Sequence, residues 1–206
     1  MHSLPFRLLL LLCLFCLLIS AGVVGDKARG AEKVPGRLRV LSYNIHHGEG
    51  TDGALDLERL ASVISSAEPD LVALQEVDDR TQRTGVVDQT AKLAELSGLH
   101  GRFAHQINFE GGRYGQAFLS RVPLSDVVIH WLPGDPERER RIAAAVSVQW
   151  EDQPITFLST HLHHASDQFR RQQAAAINEM FGNSDGIVIL AGDLNSAPWS
   201  YSARSL

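Results

Sequence analysis

"IVILAGDLNSAP" (187–198) carries an apolar run, Ile187 to Leu190, directly into a carboxylate and an amide, Asp193 and Asn195. A short apolar run of this kind reads as a buried strand. Polar groups just beyond its carboxyl end stand where open α/β sheets gather ligands. The same ending recurs along the chain. "LRVLSYNI" (38–45), rich in β-branched and aromatic residues, is a strand that runs out at Asn44. "DLVALQEV" (70–77) starts after Pro69 and runs out at Gln75 and Glu76, and a third strand reaches His161 in "STHLHH" (159–164).

Between these strands, Leu57, Leu60, Ala61 and Ile64 recur at helical spacing behind Asp56, a predicted N-cap, which gives a helix over 57–67. A shorter helix over 88–97 ends at Gly98, a residue suited to a left-handed C-cap. Strands are predicted at 102–107, 113–120, 125–131, 141–150 and 154–160, the last two joined by a tight turn at "EDQ" (151–153). A long amphipathic helix follows, with Phe169, Ala176, Ile177 and Met180 on one face. The tail "WSYSARSL" (199–206) reads as neither strand nor helix. Helix-linked strands around a block of antiparallel strands predict a mixed α/β domain of two packed sheets with helices outside.

Composition adds limits. The 206 residues are 44% hydrophobic and 21% charged, ordinary for a folded domain. Leu8 to Val24 holds no charge, follows Arg7, and contains the small residues Ser20, Ala21 and Gly22. Residues 1–25 therefore read as a signal peptide for secretion or periplasmic export, with an uncleaved membrane anchor as the alternative. Residues 26–36 read as a linker ending in Pro35-Gly36, and 37–206 as the domain. Both cysteines, Cys13 and Cys16, lie in the leader, so the domain has no thiol or disulfide chemistry. The chain carries a net charge of −5, and loss of the leader removes one base and no acid. That sign speaks against gripping long nucleic acid, and no aromatic-basic stripe for single strands is evident.

An amide, two carboxylates and an imidazole at strand ends suit a hard divalent cation such as Mg²⁺, which takes oxygen ligands and leaves positions open to phosphate. Taken singly, each has a plainer reading: Asn44 as a turn residue, Glu76 as a surface charge, His161 as a structural imidazole and Asp193 as a turn cap. Taken together, "SYNIHHG" (42–48), "ALQEVD" (73–78), "YGQAFLSR" (114–121), "FLSTHL" (157–162) and "LAGDLNSAP" (190–198) resemble, in family order, the endonuclease/exonuclease/phosphatase superfamily. This group includes pancreatic deoxyribonuclease and the neutral sphingomyelinases.

The resemblance spans about residues 38–200. It implies a deoxyribonuclease-like two-layer β-sandwich flanked by helices and hydrolysis of a phosphodiester or phosphomonoester with Mg²⁺, Mn²⁺ being the other candidate. Carried over by position, Asn44 and Glu76 are metal-site residues, with Glu76 the direct ligand. Tyr114 and His161 face phosphate, Asp193 orients water or steadies the leaving group, and Asn195 hydrogen-bonds the phosphate. Gln116 stands where the family usually has Asn, and Arg141 near where relatives carry a phosphate-facing Arg. Arg138, Arg140, Glu137 and Glu139 read as a solvated loop. His46, His47, His163 and His164 are extra imidazoles that read more readily as structural than functional.

The same resemblance implies further strands after "GDLN" and an Asp-His pair supplying a general base. No Asp, Glu or His follows Asn195. The expectation is therefore an incomplete constellation that lacks the last family strands, as a frameshift or misplaced stop would leave it. Two functional readings follow: an exported phosphoesterase weakened by that loss, or a non-catalytic remnant that binds phosphate ligands. A third rests on "THLHHAS" (160–166), which faintly resembles the zinc signature of metallo-β-lactamases, although Ala165 and Ser166 replace the Asp and His that it needs. Expected substrates are extracellular nucleic acid, phospholipid head groups or small phosphodiesters; no protein partner is implied, and the chain is expected to be a monomer.

Overall fold

The computed structural model describes residues 36–135 and 139–206. The leader, all but the last residue of the linker, Glu137 and Arg138 lie outside the described residues. Residues Leu38–Leu206 form one unit. In chain order it contains β1 (Val40–Asn44), α1 (Leu57–Ser66), β2 (Leu71–Asp79), α2 (Gln89–Ser97), β3 (His100–Phe109), β4 (Gly112–Ser120), β5 (Val128–Trp131), β6 (Ile142–Trp150), β7 (Gln153–His161), α3 (Asp167–Phe181), β8 (Ile187–Asp193) and α4 (Tyr201–Arg204).

Two sheets form, in the orders β1-β2-β4-β3 and β5-β6-β7-β8. Strand β2 shows why they stack. Successive side chains of a strand point to opposite faces. Leu71 and Ala73 join Phe118, Ile142, Ala144 and Phe157 in the core between the sheets. Val72 and Leu74 instead pack with Leu60 and Ile64 of α1 and Leu93 of α2. On the far side, Ile177 of α3 packs on Leu132, Ala143 and Leu162. The result is helices, sheet, sheet, helix. Phe118 and Phe157 meet edge-on at the centre, with ring centroids 5.4 Å apart.

Local chemistry sets the element ends. Asp56 caps α1 by accepting from Arg59 N at 2.8 Å, and Gly98 ends α2 with φ 68°. The β6–β7 hairpin closes with Trp150 opposite Gln153. The structure corrects three sequence expectations. Met180 is exposed, and the buried line of α3 runs through Gln173, Ala174 and Ile177. Gln173 earns its burial by accepting from His163 N at 2.9 Å and donating to Pro133 O at 2.9 Å. The tail is helical over Tyr201–Arg204, capped by Ser200 Oγ. Strand β5 begins at Val128, three residues later than predicted.

Two irregularities in the first sheet matter for function. β2 pairs Gln75 with Gln116 and then Val77 with Gly115, so Glu76 is an extra residue outside the ladder, with φ 59°. β3 likewise pairs His105 with Gly115 and Ile107 with Tyr114, leaving Gln106 extra. Both bulges converge on Gly115. A Cβ there would lie 2.1 Å from Ala104 O, a backbone atom that cannot swing aside. Gly115→Ala is expected to destabilise the domain by about 1–3 kcal/mol, as overpacking does. Urea unfolding checks this, and an unchanged midpoint would contradict the close approach.

Candidate active site

The two parallel strand pairs align the polar endings. Asn44 of β1 sits opposite Gln75 of β2, and His161 of β7 sits opposite Asp193 of β8. β1 and β8 pack against each other across the sandwich. The carboxyl ends of strands from both sheets therefore open at one mouth. The β2 bulge releases Glu76 from the ladder and sends its carboxylate there, which is what bulges beside active sites commonly do.

Asn44 ties the two sides together. Its Nδ2 donates to Glu76 Oε1 at 2.8 Å and to Asp193 Oδ2 at 3.1 Å. Its Oδ1 accepts from His46 N at 3.0 Å. An amide with two hydrogens can thus hold two carboxylates that would otherwise repel each other. Asp193 Oδ1 also accepts from Asn195 N at 2.9 Å, which fixes the second carboxylate. Asn195, at φ 47°, anchors its own Nδ2 on Leu162 O at 2.9 Å.

His161 is buried, with Nε2 3.7 Å from Asp193 Oδ2. Burial, reinforced by the Arg141 cation, lowers the imidazole to about 4 against the pull of Asp193 and Glu76. It is therefore neutral at pH 7. For Asp193, burial acts to raise the carboxyl, but the bonds from Asn195 N and Asn44 outweigh it and hold it below the ordinary value. Tyr114 is pushed well above the usual phenol range by burial, helped by Glu76 and Glu139, so its hydroxyl keeps its proton. These mutual influences put Tyr114, Arg141, Glu76, His161 and Asp193 in one electrostatic neighbourhood.

Two residues differ from expectation. Gln116 is not at the mouth. It is buried in the seam between the sheets, where Oε1 accepts from Ser159 Oγ at 2.5 Å and Nε2 faces Ile142 O at 3.4 Å. With both ends of its amide engaged in the core, it supports the site from beneath and does not reach a phosphate. Glu139 is not a bystander of a solvated loop. It accepts from Arg141 Nη1 at 2.8 Å and from Gln106 Nε2 at 2.6 Å. That gives the buried Arg141 guanidinium a counter-charge and clamps it to the β3 bulge. Arg140 lies over the Trp131 ring at 4.4 Å.

His46 and His47, which the sequence reads more readily as structural, stand beside Glu76. Among the described residues, these two and Glu76 form the group of three whose donor atoms all lie within 4.8 Å of one another. His47 is lowered from its ordinary value by burial and by Arg83, which favours the neutral, ligating form. The signal available was the run "NIHHG" itself, two imidazoles directly after a strand end. His163, by contrast, uses Nδ1 to accept from Ala165 N and Ser166 N, each at 3.1 Å. It fixes the entry to α3.

The sequence model of the Endonuclease/Exonuclease/phosphatase family matches residues 41–206. Solved structures agree on the fold. A family protein from Beutenbergia cavernae is 26% identical with a TM-score of 0.64, over 78% of this chain and 48% of its own. The mannosyl-6-phosphatase of Bacteroides thetaiotaomicron is 19% identical with a TM-score of 0.64, over 82% and 69% of the two chains. The human Nocturnin catalytic domain, solved with a bound sulfate, is 20% identical with a TM-score of 0.60, over 81% and 68%. This chain thus spans about half the length of the Beutenbergia cavernae protein. The strand ends, the carboxylate–amide–carboxylate contact and the family match agree: the chain belongs to the endonuclease/exonuclease/phosphatase family.

Proposed function

We propose that the chain is a metal-dependent phosphoesterase. The observation that carries this reading is the Asn44 bridge, which draws the Glu76 and Asp193 carboxylates to one mouth beside Tyr114, His161 and Arg141. The donor set fits a divalent cation, since an ionisable carboxylate and two imidazoles have donor atoms within 4.8 Å of one another. When bound, such a cation polarises a phosphoryl oxygen and lowers the pKa of a water.

The chain's own residues do the rest. Glu76 would hold the cation, and Asn44 keeps that carboxylate in place. Arg141 offsets the charge of the phosphate, while the protonated Tyr114 hydroxyl and the second N–H of Asn195 are neutral donors for its oxygens. Asp193 and His161, whose Oδ2 and Nε2 lie 3.7 Å apart, together orient the attacking water from one side. Both are held below their ordinary values and are weak proton acceptors at pH 7. They position water more than they deprotonate it, and turnover is slow relative to a site with a strong general base.

The substrate is a phosphodiester or monoester of modest size, such as a lipid head group, a small phosphodiester or a short nucleic acid. A net charge of −5 disfavours long polyanions, whose binding needs many cations. Export through residues 1–25 completes the proposal. N-terminal sequencing of the mature chain should start near Gly22 to Gly25. Retention of Met1 on a cytosolic protein would contradict export.

The experiment is hydrolysis of bis-(p-nitrophenyl) phosphate by the purified chain with Mg²⁺ or Mn²⁺, against Glu76→Gln. Metal-dependent turnover that falls by about 10²-fold or more in the variant is expected, the loss typical of a group that stabilises charge in the transition state. Absence of turnover from folded wild-type protein would contradict the proposal and favour a phosphate-binding domain.

A further inference from the structure

The histidines of "NIHHG" lie outside the Asn44–Glu76–Asp193 contact, yet the chain is bent to bring them to it. His46 and His47 both take left-handed backbone, with φ 46° and 45°. That conformation costs about 1–2 kcal/mol for a residue other than glycine. Consecutive residues of an extended strand would point apart. Here the two rings lie together, with centroids 4.4 Å apart. Glu76, the third member of the group, is also left-handed at φ 59°.

The bend is held by hydrogen bonds to the buried Gln89 and the half-buried Asn44. Gln89 donates through Nε2 to His47 O at 2.7 Å and accepts through Oε1 from Asp78 N at 2.9 Å. Asn44 Oδ1 takes the His46 N–H at 3.0 Å. Local strain held this firmly, at residues whose side chains converge, points to function.

Glu49 supplies the detail that separates ligands from mere neighbours. Its carbonyl oxygen lies 3.4 Å from His46 Nδ1. Its carboxylate Oε2 lies 3.5 Å from His47 Nε2. Each imidazole thus has one nitrogen facing Glu49 and the other left over. A carboxylate or carbonyl behind one ring nitrogen is the usual orienting partner of a metal-ligating histidine.

We infer that His46 and His47 join Glu76 as ligands of the cation and shift its identity from Mg²⁺ toward a later first-row transition ion such as Zn²⁺. This rests on the reading of Glu76 as the residue that holds the metal. Mg²⁺ is bound through one or two carboxylates and keeps its waters. Imidazole suits later, softer ions. Two imidazoles and one carboxylate with an open position form the donor set of catalytic zinc centres. The two rings add no negative charge, so an incoming phosphate meets less repulsion than at a site built from carboxylates alone.

The test is direct binding to the purified chain. Zn²⁺ and Mg²⁺ are measured by calorimetry, and Co²⁺ by its visible absorption, which reports nitrogen ligation. The variants are His46→Asn/His47→Asn and Glu76→Gln, each checked for folding by circular dichroism. Asn is chosen because it tolerates left-handed backbone better than most residues, so the turn survives and only the imidazoles are lost. Transition ions bind most sites more tightly than Mg²⁺, so the decisive quantity is the ratio of Zn²⁺ to Mg²⁺ affinity. The double variant should weaken Zn²⁺ by at least ~10-fold, the scale of losses when a metal site is disturbed, weaken Mg²⁺ by much less, and alter the Co²⁺ spectrum. An unchanged ratio and spectrum overturns the inference. If Glu76→Gln still loses Mg²⁺ in that case, the metal-dependent reading of Glu76 stands without it. If Glu76→Gln binds every ion as the wild type does, that reading falls as well.

Discussion

One amide holds the site together. Asn44 Nδ2 donates to Glu76 Oε1 and Asp193 Oδ2, which come from different sheets. Hydrogen bonds to charged groups contribute about 1.5–3 kcal/mol each, and here they also offset the repulsion of two carboxylates drawn to one place. A sandwich needs some such contact at its open end. The cores on either side are apolar and non-directional, so they set the spacing of the sheets but not the relation of two side chains at the mouth. Beneath the mouth, Gln75, Ser159 and Gln116 continue the polar seam, with Ser159 Oγ donating to Gln116 Oε1 at 2.5 Å.

Backbone irregularity does the positioning that regular strands cannot. A strand offers side chains only at alternate positions, up or down. The bulge at Glu76 breaks that alternation and directs a carboxylate to the mouth while Val77 returns to the core under α1 and α2. The bulge at Gln106 does the same for a side chain that reaches Glu139 and the Arg140 carbonyl, steadying the loop that carries Arg141. At the end of β8, Gly192 lets the strand approach β7 so closely that a Cβ would lie 2.1 Å from Thr160 O. That approach sets Asp193 beside His161.

Most of the architecture was legible because strand and helix periodicities are local. Leu57, Leu60, Ala61 and Ile64 declared a helix, and the apolar runs ending in Asn44, Glu76, His161 and Asp193 declared strands with polar ends. Depth was not legible. Tyr114 and Gln116 are two apart and share a face of β4, yet one reaches the mouth and the other lies sealed over Ser159. Which does which depends on where the opposite sheet ends, and that information sits far away in sequence. Partnership was equally hidden. Glu139 looked like part of a charged loop because only the burial of Arg141 gives it a task. His46 and His47 looked like ordinary loop residues because their backbone is held by Gln89, some forty residues further on. Met180 fitted the helical stripe, but the line that meets the sheet passes through Gln173, a polar residue no apolar pattern would select.

On the proposed function, the bulged Glu76, fixed by Asn44, anchors a cation at the junction of the two sheets. The most direct measurement is a crystal structure of the chain soaked with Mn²⁺, read by anomalous scattering. A peak is expected about 2.0–2.2 Å from a Glu76 carboxylate oxygen, the range for first-row metal–oxygen bonds, on the side facing His46 and His47. A peak elsewhere, with Glu76 still bonded only to Asn44, would contradict it.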